Sequence, residues 1–236
     1  MGILQGLPDI ITAVGGLGTA AFGLVDSTKV FWGGVNRIGF KRIANSVKRL
    51  TPKLTLGLTQ EHIVSTLRGN WYNGTALADQ KSIAKSLIKQ GLCPENAEAL
   101  ALETGIDKAV LSSVAAKIKA GTSLLPDESD MYSRFDFVLT AMLDDAYQYA
   151  DQQYTNWTRA WALFFAVVLA FVGGAILHEN TAAHAAANAV KEAYLGSTDM
   201  EIALVAGLLA TPLAPIAKDL SSALAAAVNT MQMIRK

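Results

Sequence analysis

The sequence predicts an all-α integral membrane protein with about three transmembrane helices and a small helical cytoplasmic domain. Three observations lead to this fold class. The 236 residues are 51% hydrophobic and only 17% charged, whereas roughly 25% of the residues in an average soluble domain are charged. The apolar residues are concentrated in three segments instead of being spread through the chain with helix or strand periodicity. No segment shows the apolar and polar alternation of a half-buried β-strand.

The strongest predicted span is residues 160–177, AWALFFAVVLAFVGGAIL, which contain no charged side chain and no carboxamide. At a rise of 1.5 Å per residue this segment is about 27 Å long, close to the thickness of the hydrocarbon core. Trp157 and Trp161 flank Arg159 at its start, a pattern typical of an anchor at the lipid headgroups. The alternative is a core helix of a soluble bundle, but apolar stretches of this length are unusual there.

The first predicted transmembrane helix lies in residues 1–35. Its uncharged centre, residues 10–25, is crowded with small side chains. Thr12, Gly16 and Ala20 recur at the four-residue spacing that lets two membrane helices approach closely. These three residues are therefore candidates for helix packing.

The third predicted span, residues 201–218, is the weakest of the three. Its apolar part is short and carries Pro212 and Pro215, which a spanning helix tolerates when its neighbours satisfy the freed backbone groups. A re-entrant or tilted half-span is the alternative. The last segment, residues 219–236, reads as a cytoplasmic amphipathic helix that packs on the domain, lies on the membrane or pairs with a neighbouring subunit.

The distribution of positive charge predicts one orientation for all three spans. No Lys or Arg precedes Lys29, and Lys191 is the only one between the second and third spans. All the others lie in residues 29–159 or from residue 218 onward. By the positive-inside rule these regions are cytoplasmic, so the N-terminus lies outside and the C-terminus inside. The cluster that directly follows the first span should set this topology: Arg37, Lys41, Arg42, Lys48 and Arg49.

Residues 36–130 are predicted to form the helical cytoplasmic domain. Turn and helix-end signals divide it into short helices: Thr51-Pro52, Asn73-Gly74, Gly91, Pro94, Gly105 and Gly121. In its first helix, residues 35–50, apolar residues alternate with the basic cluster: Ile38, Ile43, Val47 and Leu50. This pattern is typical of a helix that lies along an anionic membrane surface. The single cysteine, Cys93, cannot form an internal disulfide, which fits a reducing compartment.

The helical pattern becomes continuous from about Pro126. No Gly or Pro occurs between Asp127 and Gly173, so residues 131–178 are predicted to form one long helix that continues into the second transmembrane span. Such a helix couples the cytoplasmic domain to the bilayer or holds it there. A short outward-facing helix is expected in residues 179–200.

No constellation in the sequence predicts catalysis, a metal site or a cofactor. There is no Gly-rich phosphate loop, no GxSxG elbow and no cysteine–histidine pair. His178 and His184 are six residues apart, which does not match the spacing of two metal ligands on one helix face. The acidic residues between 127 and 151 are spread along one long helix, so most of them are expected to face solvent.

Four charged residues are candidates for a structural role. Asp26 and Lys29 lie three positions apart at the end of the first span, where they can pair along the helix or reach the interface. Asp136 lies beside Phe135, close to the apolar stripe of the long helix, where it is expected to cap or to bridge to a basic residue. The fourth candidate, Asp219, follows the third span.

Two segments carry a resemblance to a known group of proteins. In RFDFVLTAMLDDAYQYADQQYTNWTRAWALFFAVVLAFVGG a Phe-Asp step and a second acidic residue precede a helix that runs into a span, and the matching residues are Phe135, Asp136, Met142, Asp144 or Asp145, Tyr154 and Arg159. In LLATPLAPIAKDLSSAL the matching residues are Ala214, Pro215, Asp219 and Leu220. The chain departs from the pattern where the group prefers aromatic residues: Ile216, Ala217 and Lys218.

With these motifs the chain resembles a widespread, poorly characterised group of bacterial integral membrane proteins. The group has an N-terminal span, a helical cytoplasmic domain and two C-terminal spans. The resemblance covers about 100 of the 236 residues. It implies the same topology in the bacterial inner (plasma) membrane, and it supplies no activity.

Three functions are compatible with these features. We favour a structural or scaffold membrane protein that self-associates or anchors partner proteins at the cytoplasmic face, with the lipid bilayer as one partner and without nucleic acid or enzymatic activity. An oligomeric channel or pore is the alternative, although only Thr12, Thr19 and Asp26 of the first span offer a polar lining. A membrane-bound enzyme is the second alternative, for which the sequence offers no nucleophile with a base.

Overall fold

The structure is a computed structural model that describes residues 3–30, 33–51, 59–184 and 194–214. Within these ranges all regular elements are helical, which confirms the all-α prediction. In chain order they are α1 (Ile3–Ser27) with a short 3-10 helix (Thr28–Val30), α2 (Asn36–Arg49), α3 (Gln60–Tyr72), α4 (Leu77–Gln90), α5 (Pro94–Thr104), α6 (Lys108–Ala120), α7 (Pro126–His184) and α8 (198–214).

The chain divides into two compact units. Unit 1 comprises Met1–Gly34 and Asn156–Lys236, and unit 2 comprises Val35–Thr155. Helices α2 to α6 lie wholly in unit 2, α1 and α8 lie in unit 1, and α7 contributes its first half to unit 2 and its second half to unit 1.

The helix ends in unit 2 follow local sequence signals. The Thr59 side chain caps α3 by accepting a hydrogen bond from the backbone N–H of His62 (3.2 Å), and Asp107 caps α6 by accepting from Val110 (3.0 Å). Helix α6 ends at Gly121, whose φ of 68° is a left-handed conformation that a side chain would disfavour. The end at Gly121 agrees with the helix boundary predicted from the sequence.

The core of unit 2 includes the first half of α7, whereas the predicted domain ends at residue 130. Five side chains along this half are fully buried: Phe135, Leu139, Leu143, Tyr147 and Ala150. They pack against buried side chains of α2 to α6, among them Ile43, Leu67, Ile88, Leu100 and Leu111. Because a helix that fills a core belongs to that core, the boundary of the unit lies at residue 155 and not at 130.

The long helix predicted for residues 131–178 is present and longer than expected. Helix α7 begins at Pro126 and ends at His184. The short helix expected in residues 179–200 falls largely outside the described part of the chain, which omits residues 185–193. Of its two ends, residues 179–184 belong to α7 and residues 198–200 begin α8.

Small residues bring the helices of unit 1 together. Ala21, Ala166 and Ala210 are fully buried at the contact of α1, α7 and α8, with Leu17 and Phe165 packed against them. A Cβ placed on Gly18 would collide with the carbonyl oxygen of Ala210, and a Cβ on Gly207 would lie 2.7 Å from the Cα of Val167. Glycine at these two positions therefore permits a close approach of the backbones.

Two described helices are long and apolar enough to cross a membrane. One is the segment Ile10–Ser27 of α1, and the other lies in Pro126–Glu179 of α7. The third predicted span coincides with α8 only as far as residue 214. Its last residues, 215–218, and the predicted C-terminal helix, 219–236, lie outside the described residues.

Candidate functional site

Helix α2 presents a basic face to solvent. We use this name for five exposed side chains: Arg37, Lys41, Arg42, Lys48 and Arg49. At about 100° per residue they cover roughly 140° of the helix circumference, and α2 contains no acidic residue. Among the described residues, Arg42 alone of the five has an ion-pair partner, with its Nη2 3.4 Å from Asp145 Oδ2. Its guanidinium also lies 5.0 Å from the ring centre of Tyr149.

The opposite face of α2 is buried in the core of unit 2. Phe40, Ile43, Val47 and Leu50 are each at most 4% exposed. For Ile43, Val47 and Leu50, the expected placement against a membrane surface is therefore wrong, because these side chains pack in the core of unit 2. Ile38, the fourth apolar residue of the predicted pattern, is 39% exposed and lies within the arc of the basic face.

Two close contacts fix the orientation of α2 in unit 2. The indole N–H of Trp71 donates to the carbonyl oxygen of Asn36 at 3.1 Å, and both residues are buried. A Cβ on Gly39 would lie 2.8 Å from the carbonyl oxygen of Ala150, so glycine permits α2 to approach α7 closely. The basic face consequently has one defined direction, away from the core.

The bridge expected at Asp136 is present and involves two lysines. Lys85 Nζ donates to Asp136 Oδ2 at 3.0 Å, and Lys89 Nζ donates to Asp136 Oδ1 at 2.8 Å. The Lys89 hydrogen bond, together with the second lysine, lowers the pKa of the Asp136 carboxyl although partial burial opposes this. The carboxylate therefore remains charged at neutral pH and joins α4 to α7.

The same interface continues along both helices. Lys81, Lys85 and Lys89 recur every four residues on one face of α4. Lys81 Nζ donates to Asp144 Oδ1 at 2.6 Å, and Lys85 also donates to Thr140 Oγ1 at 3.3 Å. A cavity of about 260 Å³ beside these residues is lined by Ala78, Lys81, Ser82, Lys85, Thr140, Leu143 and Asp144. The described charges here pair with one another across two helices, an arrangement that stabilises the helix contact.

Glu128 forms the second polar cluster of unit 2. Its carboxylate accepts hydrogen bonds from Lys117 Nζ (2.6 Å), from the Ser113 hydroxyl (2.7 Å) and from the Leu125 backbone N–H (2.8 Å). The Lys117 bond, followed by the Leu125 and Ser113 bonds, lowers the pKa of Glu128 to about 2. Since Leu125 directly precedes α7, this carboxylate caps the long helix and ties it to α6.

The second half of α7 exposes large apolar side chains. Trp157 and Trp161, predicted as membrane anchors, are 44% and 42% exposed, and Arg159 between them is also exposed. Further along the helix a row of side chains is at least 36% exposed: Leu163, Phe164, Val168, Val172, Ile176 and Leu177. Only 11% of the most apolar 18-residue window of this helix is buried within the protein.

The packing stripe predicted on α1 lies on its exposed side. Thr12, Gly16 and Ala20 are exposed, and a Cβ on Gly16 would meet no atom within 4 Å. Packing inside unit 1 instead uses Gly18 and Ala21, which lie on another face of the same helix. The predicted stripe therefore does not hold unit 1 together, and its role in contacts between molecules stays a prediction.

An apolar cavity of about 420 Å³ lies between α1, α7 and α8 in unit 1. Its lining is mostly small and aliphatic, with His178 and Asp199 as its polar members. His178 Nδ1 lies 2.8 Å from Asp199 Oδ2. The ring of Tyr194 lies 5.7 Å from that of His178, and its buried hydroxyl, for which the described residues supply no hydrogen-bond partner, packs on Gly174.

No sequence pattern indicates the His178–Asp199 pair. The two residues are 21 positions apart, on helices whose relative placement is a tertiary property, so no spacing rule links them. Asp26 is exposed near the end of α1. Its predicted pairing with Lys29, and the candidate Asp219, fall on side chains outside the described part of the structure.

The described residues contain no group of three His, Cys, Asp or Glu side chains arranged to hold a metal ion. Comparison with protein-family models, with curated proteins and with solved structures finds no match to this chain. The resemblance to the bacterial membrane group therefore remains a prediction from the sequence.

Proposed function

We propose that this protein is a non-catalytic membrane scaffold. In this proposal α1, the second half of α7 and α8 anchor the chain in the lipid bilayer of the bacterial inner membrane. Unit 2 is held at the cytoplasmic face, where it binds partner proteins or further copies of the chain.

One observation carries the proposal: the apolar segment of α7 is exposed along its length. Phe164, Val172 and Ile176 are each more than half exposed. Only 11% of the 18-residue apolar stretch that is the candidate span is buried by the protein. A core helix of a soluble protein would bury most of this surface, because large contiguous apolar patches are rarely exposed to water. Lipid is the solvent that such a surface fits.

The continuity of α7 supports the scaffold part of the proposal. The same helix supplies Leu139 and Leu143 to the core of unit 2 and then, without an intervening loop, the exposed apolar segment. Unit 2 therefore cannot separate from the apolar segment unless α7 breaks or unit 2 unfolds. The described polar clusters of unit 2 pair internally, at Asp136 and at Glu128, as expected of groups that stabilise a fold.

Alkaline extraction tests the membrane anchor. The full chain is expected to stay in the membrane pellet after carbonate washing, because hydrocarbon burial of α1 and α7 does not depend on charge. The fragment 35–155, which lacks the apolar helices, serves as the matched control and is expected in the supernatant. Release of the full chain with that fragment contradicts the proposal.

Single-cysteine labelling tests the orientation. Asn45 and Leu195 are exposed, whereas the native Cys93 is buried. With Leu195→Cys a membrane-impermeant maleimide is expected to react on intact cells, and with Asn45→Cys only after the membrane is permeabilised. The reverse pattern means that unit 2 lies outside, and it excludes a cytoplasmic scaffold.

The mass of the complex in mild detergent tests the scaffold role. A homogeneous oligomer, or a complex with defined proteins in fixed ratio, is the expected result. A bare monomer with no co-purifying protein, from a membrane preparation in which the chain is native, excludes the scaffold role while leaving the membrane anchor intact.

The apolar cavity supports a second candidate function, the binding of a lipid acyl chain. Its volume of about 420 Å³ falls within the roughly 300–1,000 Å³ of ligand pockets, and an acyl chain fits its aliphatic lining. Ala206 lines the cavity, whereas its neighbour Val205 is exposed outside it. Native mass spectrometry is expected to show less retained phospholipid for Ala206→Phe than for Val205→Phe. Equal retention excludes this function.

A further inference from the structure

We propose that the basic face of α2 docks on anionic phospholipid headgroups, and that charge alone makes this contact. The inference rests on the proposed membrane anchor and adds a partner for one surface of unit 2. The partner chemistry is the phosphate of an anionic lipid such as phosphatidylglycerol, in the leaflet next to unit 2.

The charge balance of α2 supports an anionic partner. Four of its basic side chains, Arg37, Lys41, Lys48 and Arg49, have no acidic partner among the described residues, and α2 itself carries no carboxylate. Elsewhere in the described part of unit 2, three exposed cations are paired: Lys108 with Glu98, Lys119 with Glu95, and Arg134 with Asp130. Within the same described part the exposed Arg68 has no such ion pair, and its guanidinium lies 5.6 Å from the ring centre of Phe40 in α2. The basic face is thus the place where positive charge accumulates without local neutralisation.

The burial of the opposite face determines how α2 can bind lipid. An amphipathic helix that inserts into the interface needs a free apolar face. Here Ile43 and Val47 are 0% exposed and Phe40 is 4% exposed, all within the core of unit 2. Insertion would require unit 2 to unfold, so the contact stays at the level of the headgroups and is screened by salt.

Few residues of the chain separate the basic face from the proposed anchor. Arg37 is the tenth residue after Ser27, the last residue of α1 (37 minus 27). Ten residues span at most about 35 Å even when fully extended. Because a tether of this length keeps the local concentration of headgroups high, a modest affinity is sufficient for docking.

Fluorescence quenching in nanodiscs tests the docking. The full chain carries a fluorophore on Asn45→Cys, an exposed position within the arc of the basic face, and Cys93 is buried. The nanodiscs contain phosphatidylcholine alone or with about one third phosphatidylglycerol, a content that gives a negative surface potential. Both contain a trace of lipid with a headgroup spin label as the quencher.

Stronger quenching is expected with phosphatidylglycerol than without it. The difference is expected to disappear between about 0.1 M and 1 M salt, as the screening length falls from roughly 10 Å to 3 Å. Quenching that is equally strong in 1 M salt would mean insertion of apolar side chains and would overturn the inference.

Two triple variants of equal charge separate the face from net charge. The test variant is Arg37→Gln, Lys41→Gln and Lys48→Gln; the control is Lys108→Gln, Lys119→Gln and Arg134→Gln. At about fivefold in affinity per basic side chain near an anionic surface, the test variant should dock roughly a hundredfold more weakly. The control should keep the phosphatidylglycerol effect. Equal loss in both variants, or in neither, overturns the inference.

Incorporation into the nanodiscs is measured first by size-exclusion chromatography. A chain that does not incorporate contradicts the membrane anchor itself. A chain that incorporates but responds neither to phosphatidylglycerol nor to salt contradicts the docking alone. A fluorophore that responds to an added polyribonucleotide, and not to phosphatidylglycerol, assigns the basic face to nucleic acid and likewise overturns the inference.

Discussion

Charged side chains in unit 2 differ in how far they are shielded from water, and this decides how much each contributes to stability. Asp136 and its partners Lys85 and Lys89 are about 30% exposed, between 28% and 31%. Asp130 and Arg134, which pair along the surface of α7, are both 66% exposed. Hydrogen bonds between charged groups that are partly shielded contribute roughly 1.5–3 kcal/mol, whereas exposed ion pairs contribute about 0–1 kcal/mol.

Asp136→Asn is therefore expected to lower the free energy of unfolding by about 1–3 kcal/mol. The carboxamide keeps the shape of the side chain but leaves two lysines without their counter-charge. Asp130→Asn, the matched control on the same helix, is expected to cost less than about 0.5 kcal/mol. Chemical unfolding of the purified protein in detergent, followed by far-UV circular dichroism, measures both. Equal changes in unfolding free energy would show that the α4–α7 bridge stabilises the protein no more than an exposed ion pair does.

Glu128 is expected to make the free energy of unfolding depend on pH in the acidic range. Its pKa is lowered to about 2 in the folded protein, while the pKa of an unfolded glutamate is about 4.3. The folded state thus favours the carboxylate, so its stabilisation is complete above about pH 5 and is lost as the pH falls through about 2. Glu128→Gln should be less stable than the parent near neutral pH, and this difference should shrink towards pH 2. Unfolding free energies measured at a series of pH values test this, and a constant difference contradicts it.

At the scale of elements, α1 has two faces rich in small residues that do different things. Gly18 lies against the backbone of Ala210, with the Cβ of Ala214 2.8 Å from the position of an added Cβ. Gly16 faces open space. Glycine is therefore required at position 18 for packing within unit 1. The face that carries Gly16 remains available for contact with a second molecule or with lipid.

Leucine substitutions distinguish the two faces. Gly18→Leu is expected to force α1 away from α8 and to lower thermal stability in detergent, at a cost of about 1–3 kcal/mol or more. Gly16→Leu should leave thermal stability unchanged or slightly raised, since leucine favours the helix more than glycine, and should reduce the oligomer mass if self-association uses the predicted stripe. Loss of stability in Gly16→Leu, with no loss in Gly18→Leu, would mean that the packing face is assigned wrongly.

At the scale of the whole molecule, each unit has its own kind of interior. Unit 2 has a core of large side chains from α2 to α7, as a water-soluble domain does. The described core of unit 1 is a set of alanines between helices whose large side chains point outward. Small residues at helix contacts and large apolar residues on the outside are typical of helices packed in lipid.

The fragment 35–155 is expected to fold by itself because it contains the whole core of unit 2. Its length lies within the usual 50–200 residues of a single domain. Circular dichroism should show a helical fragment with a cooperative thermal transition. The shorter fragment 35–130 lacks Phe135, Leu139 and Leu143, which are at most 1% exposed, and is expected to lack that transition. A cooperative transition in 35–130 would contradict the placement of the boundary at residue 155.

Local sequence signals are sufficient to predict the helical class, several helix ends of unit 2 and the two long apolar segments. These are local properties. Thr59 and Asp107 cap the helices α3 and α6 with their own side chains, and Gly121 permits the left-handed turn that ends α6. A long uncharged stretch can be recognised from the order of residues alone. Each depends on neighbours within a few residues. Membrane insertion and orientation follow from the same local signals and remain predictions.

The surroundings of each helix face follow from the packing of the helices and not from the sequence pattern. The pattern of α2 is the same for a helix on a membrane and for a helix on a protein core, because periodicity shows which residues share a face and not what covers it. The two lysines that hold Asp136, the choice of Gly18 over Gly16 for packing, and the His178–Asp199 pair all join residues far apart in the chain. Their meeting depends on how whole helices pack, and that is set by the sum of many side-chain contacts.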